Sequence, residues 1–351
     1  MILDVCDDIP SEAWATNWRY SAMGVSPSRM VTAGRDSRWI ARYIVAREAP
    51  GVIAGLMPVY QSRISQQMYG EYNPHALAPE LCRDVPTDCR SWLLIGGRRD
   101  LAAGIAVNAG LSAEAAAEVR VAVFHRAVLL ARVENLFAIG LYLRDEDAAA
   151  LGALLGGDAI TPVGRTATLN TSGSEAGYLA SLSSRRRNRI RRDWRRLEES
   201  GLRAAEAVPD EVLASAAPLV AANKQRYGIS DHPALAAMRL RDWAASGAGR
   251  CVAFTVRDRA GQLLAVEFCC DDGRMIESYE LGLRAGQPCR RDLYLEVVFY
   301  APLRYAWRHG GATIELGSGS LVPKQLRGAI TAALWMGVDH HRAKSGEREA
   351  G

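Results

Sequence analysis

The alternation of apolar and polar positions predicts two pairs of strands in similar arrangements. Residues 39–48 and 52–61 are runs rich in valine, isoleucine and aromatic side chains, and a short Ala-Pro-Gly turn separates them. Residues 251–257 and 262–271 repeat this arrangement around a polar turn. Because such residues fit the pleated surface of a sheet and a short turn brings the two runs together, we expect two antiparallel hairpins.

The elements that follow each hairpin also occur in the same order. In both halves of the chain the pattern predicts a strand, a long helix and another strand. The predicted elements are strands at 92–97 and 136–143 around a helix at 113–133, and strands at 275–283 and 313–317 around a helix at 291–309. This duplication predicts an α/β protein with two α+β mixed sheets, built as two modules in tandem.

The boundary between the two modules is expected near residues 156–164. Gly-Gly-Asp and Pro-Val-Gly sequences fall there and favour turns. We therefore assign residues 1–160 to an N-terminal domain and residues 161–351 to a C-terminal domain.

Composition narrows the class of protein. Of 351 residues, 49% are hydrophobic and 23% are charged, as in globular proteins. The chain start lacks the segments of a secretion signal, and no apolar run reaches the about 18–20 residues that a membrane-spanning helix needs. We therefore expect a cytoplasmic protein that does not contact a membrane. The seven cysteines include no CxxC pair, so we expect neither a disulfide framework nor a metal site.

The net charge of +4 is modest, but its distribution is uneven, because residues 185–196 contain eight arginines and one aspartate. Ile190, Trp194 and Leu197 lie at helical spacing and predict a helix with one buried edge. A solvated surface helix is one interpretation. The other is an anionic partner that offsets the repulsion: RNA, a carrier protein or a nucleotide-bearing donor. The candidate contacts on this helix are Arg186, Arg189 and Arg192.

Three segments carry a resemblance to a known family. Residues 178–201 combine Tyr-Leu-Ala-Ser-Leu-Ser-Ser, the arginine run and Leu-Glu-Glu-Ser-Gly. Residues 265–283 combine Ala-Val-Glu-Phe with Glu-Ser-Tyr-Glu-Leu-Gly-Leu, and residues 310–324 combine Gly-Gly-Ala-Thr-Ile-Glu-Leu-Gly-Ser-Gly with Lys324. In order and spacing they resemble the GNAT acyltransferase superfamily, in particular its BioF2-like and FemAB-like branch of paired GNAT folds. The resemblance implies a catalytic C-terminal domain and a degenerate, supporting N-terminal one.

The resemblance also implies where an acyl donor would bind. In GNAT folds the donor thioester lies where two parallel strands separate, which places Leu281 and Leu283 beside it. Donor phosphates bind at the start of the following helix, where free N–H groups and the helix dipole favour anions. Here Arg290 and Arg291 add two cations. Arg290 and Asp292 stand where the family pattern has small residues, so a carrier-protein phosphopantetheine or an aminoacyl-tRNA is expected as an alternative to CoA.

Carboxylates in apolar strands are the candidate catalytic groups, because amide formation needs a base for the amine proton and burial raises the pKa of a carboxyl group. Glu315 is the leading candidate, since two glycines allow a ligand to approach the backbone after it. Tyr279 is a candidate acid for the leaving group. The candidate catalytic residues are Glu315, Glu280, Tyr279 and Glu267, and the candidate substrate-binding residues are Lys324, Gly317, Gly319 and Glu277.

The leading functional hypothesis is an N-acyltransferase that moves an acyl group from a phosphopantetheine thioester to an amine of a small molecule. We expect direct attack, because no histidine lies near Cys270 or Cys289 in sequence to activate a cysteine nucleophile. No permanently bound cofactor is expected. Two alternatives stay open: an amide-forming transferase that uses aminoacyl-tRNA, and a paired GNAT protein that binds without catalysis. The oligomeric state also stays open.

Overall fold

The computed structural model describes residues 1–20, 22–66, 68, 70–98 and 103–340 of the chain. Contacts between residues divide it into two compact units. The N-terminal unit contains residues Met1–Arg165 and, in addition, the described residues 332–340. The C-terminal unit contains residues Thr166–Thr331.

The first elements of the chain form a mixed sheet with helices. Its strands are β1 (Ile2–Cys6), β2 (Trp18–Arg19), β3 (Trp39–Ala49), β4 (Val52–Ser62), β5 (Trp92–Ile95), β6 (Ala106–Asn108) and β7 (Phe137–Leu143). Its helices are α1 (Pro27–Gly34), α2 (Pro74–Leu77), α3 (Ala113–Val133) and α4 (Asp145–Leu155). The strand order is β1-β3-β4-β5-β7, and only β5 and β7 of this series run parallel.

The second set of elements repeats this plan. Its strands are β8 (Ile160–Asn170), β9 (Ala205–Ala207), β10 (Arg250–Arg257), β11 (Leu263–Asp271), β12 (Met275–Leu283), β13 (Thr313–Glu315) and β14 (Ile330–Val338). Its helices are α5 (Glu175–Ser181), α6 (Ser184–Ser200), α7 (Pro209–Arg226), α8 (Pro233–Ala244), α9 (Arg290–Leu295), α10 (Ala301–His309) and α11 (Leu321–Gln325). The strand order is β8-β13-β12-β11-β10-β9, with β12 and β13 parallel.

Both predicted hairpins are confirmed. Trp39 pairs with Ser62 and Ala49 with Val52 in the first, and Arg250 pairs with Asp271 in the second. The predicted helix at 291–309 is α9 and α10 joined by a π-helical segment, Glu296–Tyr300. The last predicted strand is two residues shorter than expected. It ends at Glu315, two residues before Gly317, whose φ of +69° lies outside the range of an extended strand.

The units differ from the predicted domains at the C-terminal end. Strand β14 follows α11 in the chain, yet Trp335 and Val338 pair with β7 inside the N-terminal unit. Residues 332–340 therefore belong with the N-terminal unit rather than with the predicted domain 161–351. Residues 341–351 of that domain lie outside the described residues. The local pattern of β14 predicts a strand, but the choice of a partner strand depends on tertiary pairing.

Candidate active site

Two parallel strands of the C-terminal unit separate after a short paired stretch. Met275 pairs with Thr313 and Glu277 with Glu315, and there β13 ends. Residues 278–283 of β12 therefore have no parallel neighbour among the residues that the structure describes. In the N-terminal unit, by contrast, β5 pairs with β7 from Trp92 to Ile95 without such a separation. The C-terminal unit thus has an open strand edge where an extended ligand can bind.

A β-bulge lies at this opening. Phe268 of β11 pairs with Glu280 and Cys269 pairs with Ser278, so Tyr279 is the extra residue on β12. The Tyr279 ring stacks on Trp243 of α8 with a centroid distance of 4.7 Å and an interplanar angle of 6°. The bulge and this stack fix the direction of β12 where it leaves β13.

Glu267 is the least satisfied carboxylate of the site. Its side chain is 2% exposed and belongs to β11, opposite Leu281. One carboxylate oxygen accepts a hydrogen bond from Ser278, and the other is buried with no hydrogen-bond partner. Burial raises the pKa of Glu267 to about 8, although Ser278 and the charge of Lys324 act in the opposite direction. Unpaired buried carboxylates are rare in structural positions, so Glu267 is a functional candidate.

Lys324 is buried close enough to Glu267 for each charge to affect the other. Its side chain is 3% exposed, and Nζ donates hydrogen bonds to the carbonyl oxygens of Leu316 at 2.5 Å and Gly317 at 3.0 Å. Burial lowers the pKa of Lys324 to about 8, while the charges of Glu267 and Glu315 act to raise it. An ammonium group has three donors, so Lys324 keeps one beyond these two carbonyls.

Glu315, the predicted base, lies at the last paired position of β13. Its carboxylate accepts hydrogen bonds from Thr166 and, at 3.1 Å, from Thr168. Both threonines belong to β8, the neighbouring strand. The charge of Glu315 acts on Lys324, so the two side chains lie near each other, but both Glu315 oxygens are held by hydroxyl groups.

The other two predicted carboxylates bond to helices that pack on the sheet. Glu280 accepts from Arg239 and Lys224, each at 2.8 Å, and is thus ion-paired twice. Glu277 accepts from the Trp243 indole N–H at 3.2 Å. These bonds favour structural roles for both residues, since each carboxylate is held by side chains of α7 or α8.

Several arginine side chains lie at or near the segment that leads into α9. Arg290 donates to the carbonyl oxygens of Leu283 and Arg284, both at 3.4 Å, and to the Asn223 side chain at 3.2 Å. Burial and the charge of Arg226, on α7, lower the pKa of Arg290. Arg291 is exposed. No carboxylate within the described residues forms an ion pair with Arg290. The sequence analysis did not single out Arg226, because 64 residues separate it from Arg290.

Gly317 and Gly319 border the opening. A Cβ atom placed on either glycine would meet no atom within 4 Å, which agrees with free space beside this backbone. Ser320, which follows, has a φ of +51°. Its side chain forms a hydrogen bond with Tyr294, and burial together with the charge of Glu267 raises the pKa of Tyr294. Tyr294 is a second site residue that the sequence did not single out.

Helix α6 is confirmed with the predicted buried edge. Ile190 and Leu197 are buried, and Trp194 is partly buried. Two arginines of the run are tied to the protein: Arg187 donates to backbone carbonyls, and Arg196 pairs with Asp193 and Asp292. The other six arginines form no ion pair with described residues, and five of them are exposed: Arg185, Arg186, Arg191, Arg192 and Arg195.

No group of three or more histidine, cysteine, aspartate or glutamate side chains in the described residues could hold a metal ion. No helix of this part of the chain is long and apolar enough to cross a membrane.

Comparison with known proteins identifies the fold. Residues 184–322 match the family model described as the acetyltransferase (GNAT) domain. Among solved structures, FemX is 12% identical, with a TM-score of 0.61 and 96% of each chain covered. L-PGS from Bacillus licheniformis is 10% identical, with a TM-score of 0.56 and coverage of 97% of this chain and 95% of that one. No curated protein matches the chain in sequence.

A third solved structure resembles the chain over both of its units. The tandem GNAT protein from the clavulanic acid biosynthesis pathway is 13% identical, with a TM-score of 0.50 and coverage of 96% of this chain and 99% of that one. The predicted tandem GNAT fold is confirmed, and the predicted resemblance to GNAT acyltransferases is confirmed over residues 184–322.

Proposed function

We propose that the C-terminal unit of this GNAT-type acyltransferase moves an acyl group from a phosphate-bearing thioester donor to an amine, in the opening between β12 and β13. The observation that carries the proposal is the buried Glu267 carboxyl group, which has one unpartnered oxygen and the Lys324 ammonium nearby. Intact-mass measurement of acyl transfer from CoA, carrier-protein and tRNA donors to a panel of amines tests it. Absence of transfer from every donor would contradict it.

Glu267 is the proposed base in place of Glu315. Its raised pKa, about 8, approaches that of the amine it must deprotonate, which is the condition for efficient proton transfer. The neutral amine then attacks the thioester carbonyl, and a tetrahedral intermediate with a negative oxygen forms. The remaining N–H donor of Lys324 supports stabilisation of that oxygen.

Collapse of the intermediate breaks the carbon–sulfur bond and releases a thiolate. A thiol has an ordinary pKa of about 8.5, so the protonated Glu267 carboxyl group can give its proton to the thiolate. The Glu267 carboxylate formed in this way takes the second proton from the nitrogen of the new amide and releases it to solvent. Tyr279 is the alternative acid for this step. No covalent enzyme intermediate is needed, because both substrates are held in one opening.

The open edge of β12 and the cations beyond it support an extended donor. Backbone groups near Leu281 and Leu283 lie on the strand that loses its neighbour, so they suit the amides of a phosphopantetheine arm. Arg290, Arg226 and Arg291 then suit its phosphates. Both CoA and a carrier protein provide such an arm.

Replacement of Arg226 and Arg290 together by glutamine is expected to raise the donor KM by about 10-fold or more, because each charge-assisted bond to phosphate is lost. The kcat should change little, since neither arginine touches the reacting carbonyl. Steady-state kinetics with CoA and carrier-protein donors measure both constants. The exposed Arg259, replaced by glutamine, is the control, and a double variant with an unchanged donor KM contradicts the assignment.

Aminoacyl-tRNA is the second candidate donor, and the unpaired arginines of α6 favour it. We expect that reversal of Arg186, Arg189 and Arg192 to glutamate weakens binding of a large anionic donor. Binding by the unmodified protein should also weaken as salt rises, because counterions are released on association. Fluorescence anisotropy with labelled tRNA and labelled carrier protein measures this at several salt concentrations.

A matched control reverses three arginines elsewhere: Arg35, Arg241 and Arg259 are exposed and change the net charge equally. Binding that is insensitive to salt, or lost equally in both triple variants, would make α6 a structural surface. The loss of activity after ribonuclease treatment distinguishes an RNA donor from a carrier protein.

The hypothesis of a binding protein without catalysis fits the N-terminal unit. Its parallel strands pair throughout β5, and Ala103 continues the contact by pairing with Leu143. The described residues here, 92–98 and 103–143, show no separation of parallel strands like that beside Glu267. We propose that the N-terminal unit supports the fold and that the C-terminal unit catalyses.

A further inference from the structure

Arg327 is the most enclosed cation of the C-terminal unit that the proposed mechanism does not use. Its side chain is 2% exposed, and its guanidinium lies 5.5 Å from the Phe299 ring centroid. Burial of a guanidinium is costly, and such a group persists where its donors are satisfied with good geometry. The bonds that Arg327 makes therefore indicate what it holds in place.

One side of Arg327 is fixed to α6 and to the π-helical segment Glu296–Tyr300 that joins α9 and α10. Its guanidinium donates to Asp193, on the inner face of α6, and to the Tyr300 hydroxyl at 3.0 Å. The Tyr300 hydroxyl donates to the same Asp193 oxygen at 2.8 Å. Asp193 is itself 2% exposed. The three side chains form a closed, buried network.

The other side of Arg327 is fixed to the segment that carries Lys324. The guanidinium donates to the Pro323 carbonyl at 3.0 Å, one residue before the lysine. The Arg327 backbone N–H donates to the Lys324 carbonyl at 3.0 Å, and the Tyr178 hydroxyl donates to the Arg327 carbonyl at 2.6 Å. The bonds thus enclose the position of Lys324 from both sides.

We infer that Arg327 is a positioning residue that sets the place of Lys324 through α6. The inference rests on the proposed function, because it gives Lys324 a role in the reaction. Asp193 and the outward arginines share one helix, so the surface proposed to receive the donor and the Lys324 ammonium are joined through Arg327. Displacement of a catalytic group by about 1 Å can cost about 10²-fold in rate.

The test is a double-mutant cycle of Arg327→Met and Lys324→Met, with kcat, donor KM and Tm measured for each protein. Arg327→Met is expected to lower kcat by about 10²-fold with little change in donor KM. In the Lys324→Met background the same change should lower kcat no further, because the group that it positions is gone. Tyr300→Phe keeps the ring, removes one bond to Arg327 and is expected to lower kcat by about 10-fold.

A matched control is Arg120→Met in the N-terminal unit, where Arg120 donates to the buried Asp147 at 3.1 Å. It should lower Tm and leave kcat unchanged. Equal losses from Arg327→Met in both backgrounds, or a wild-type kcat in folded Arg327→Met and Tyr300→Phe, would overturn this inference alone. A wild-type rate in Lys324→Met would overturn the proposed mechanism and this inference with it.

Discussion

Glu267→Gln is expected to lower kcat by about 10²-fold or more, because glutamine keeps the shape of the side chain but cannot accept the amine proton. For the wild type, kcat/KM should rise with pH up to about 8 as Glu267 ionises. The variant should lose this rise. Steady-state rates across pH 6 to 9 measure both effects.

The same substitution is expected to stabilise the protein near pH 8. The folded pKa of Glu267 is raised to about 8 from an ordinary value of 4.5. Between these values the unfolded chain is ionised while the folded protein stays protonated, so stability falls as pH rises through this window. Glutamine removes that dependence. Thermal unfolding of both proteins at pH 5 and pH 8 should show a gain in Tm for the variant at the higher pH.

Glu315→Gln is the matched control, since it changes the other carboxylate of the site. One threonine hydroxyl can still donate to the glutamine oxygen and the other can accept from the glutamine NH2 group, so we expect a fall in kcat of less than about 10-fold. A loss of about 10²-fold in Glu315→Gln, with a wild-type rate in Glu267→Gln, would return the role of base to Glu315.

Lys324→Met is expected to lower kcat by about 10²–10³-fold, because the intermediate loses its charged donor. It should also move the acidic limb of the pH profile to higher pH. The charge of Lys324 lowers the pKa of Glu267, so its removal raises that pKa further. Rates with a saturating donor from pH 6 to 10 measure the magnitude and the shift together.

The alternative role for Lys324 is to bind the acceptor. In that case the substitution would raise the acceptor KM and leave kcat and the acidic limb unchanged. Measurement at several acceptor concentrations separates the two roles, because loss of transition-state stabilisation lowers kcat while loss of uniform binding raises KM.

The elements of the fold could be predicted from the sequence because they depend on local periodicity. The two hairpins and the helix α3 follow from apolar residues at a period of two or about 3.6, and the structure confirms them. The plan of two modules follows from their repeated order, and the GNAT assignment comes from the resemblance of three segments in the second half of the chain. Helix α6 was predicted together with its buried edge, since Ile190 and Leu197 lie on one face of the helix, about two turns apart.

The candidate site could be predicted only as a set of residue types on neighbouring strands. The sequence brought Glu267, Glu315 and Lys324 into consideration, but it could not rank the two glutamates. That ranking depends on threonines about 150 positions away, which satisfy Glu315, and on the absence of such a partner for one oxygen of Glu267.

Local patterns in the chain were enough to predict the two hairpins, the helices α3 and α6, the duplicated order and the resemblance to GNAT acyltransferases. The pairing of β14 with β7, the approach of Arg226 to Arg290 and the connection of α6 to the segment of Lys324 through Arg327 became visible only in the folded chain. The physical reason is how far apart along the chain the interacting residues lie. Hydrophobic periodicity acts between residues a few positions apart, whereas strand pairing, burial and pKa depend on groups that only the folded chain brings together.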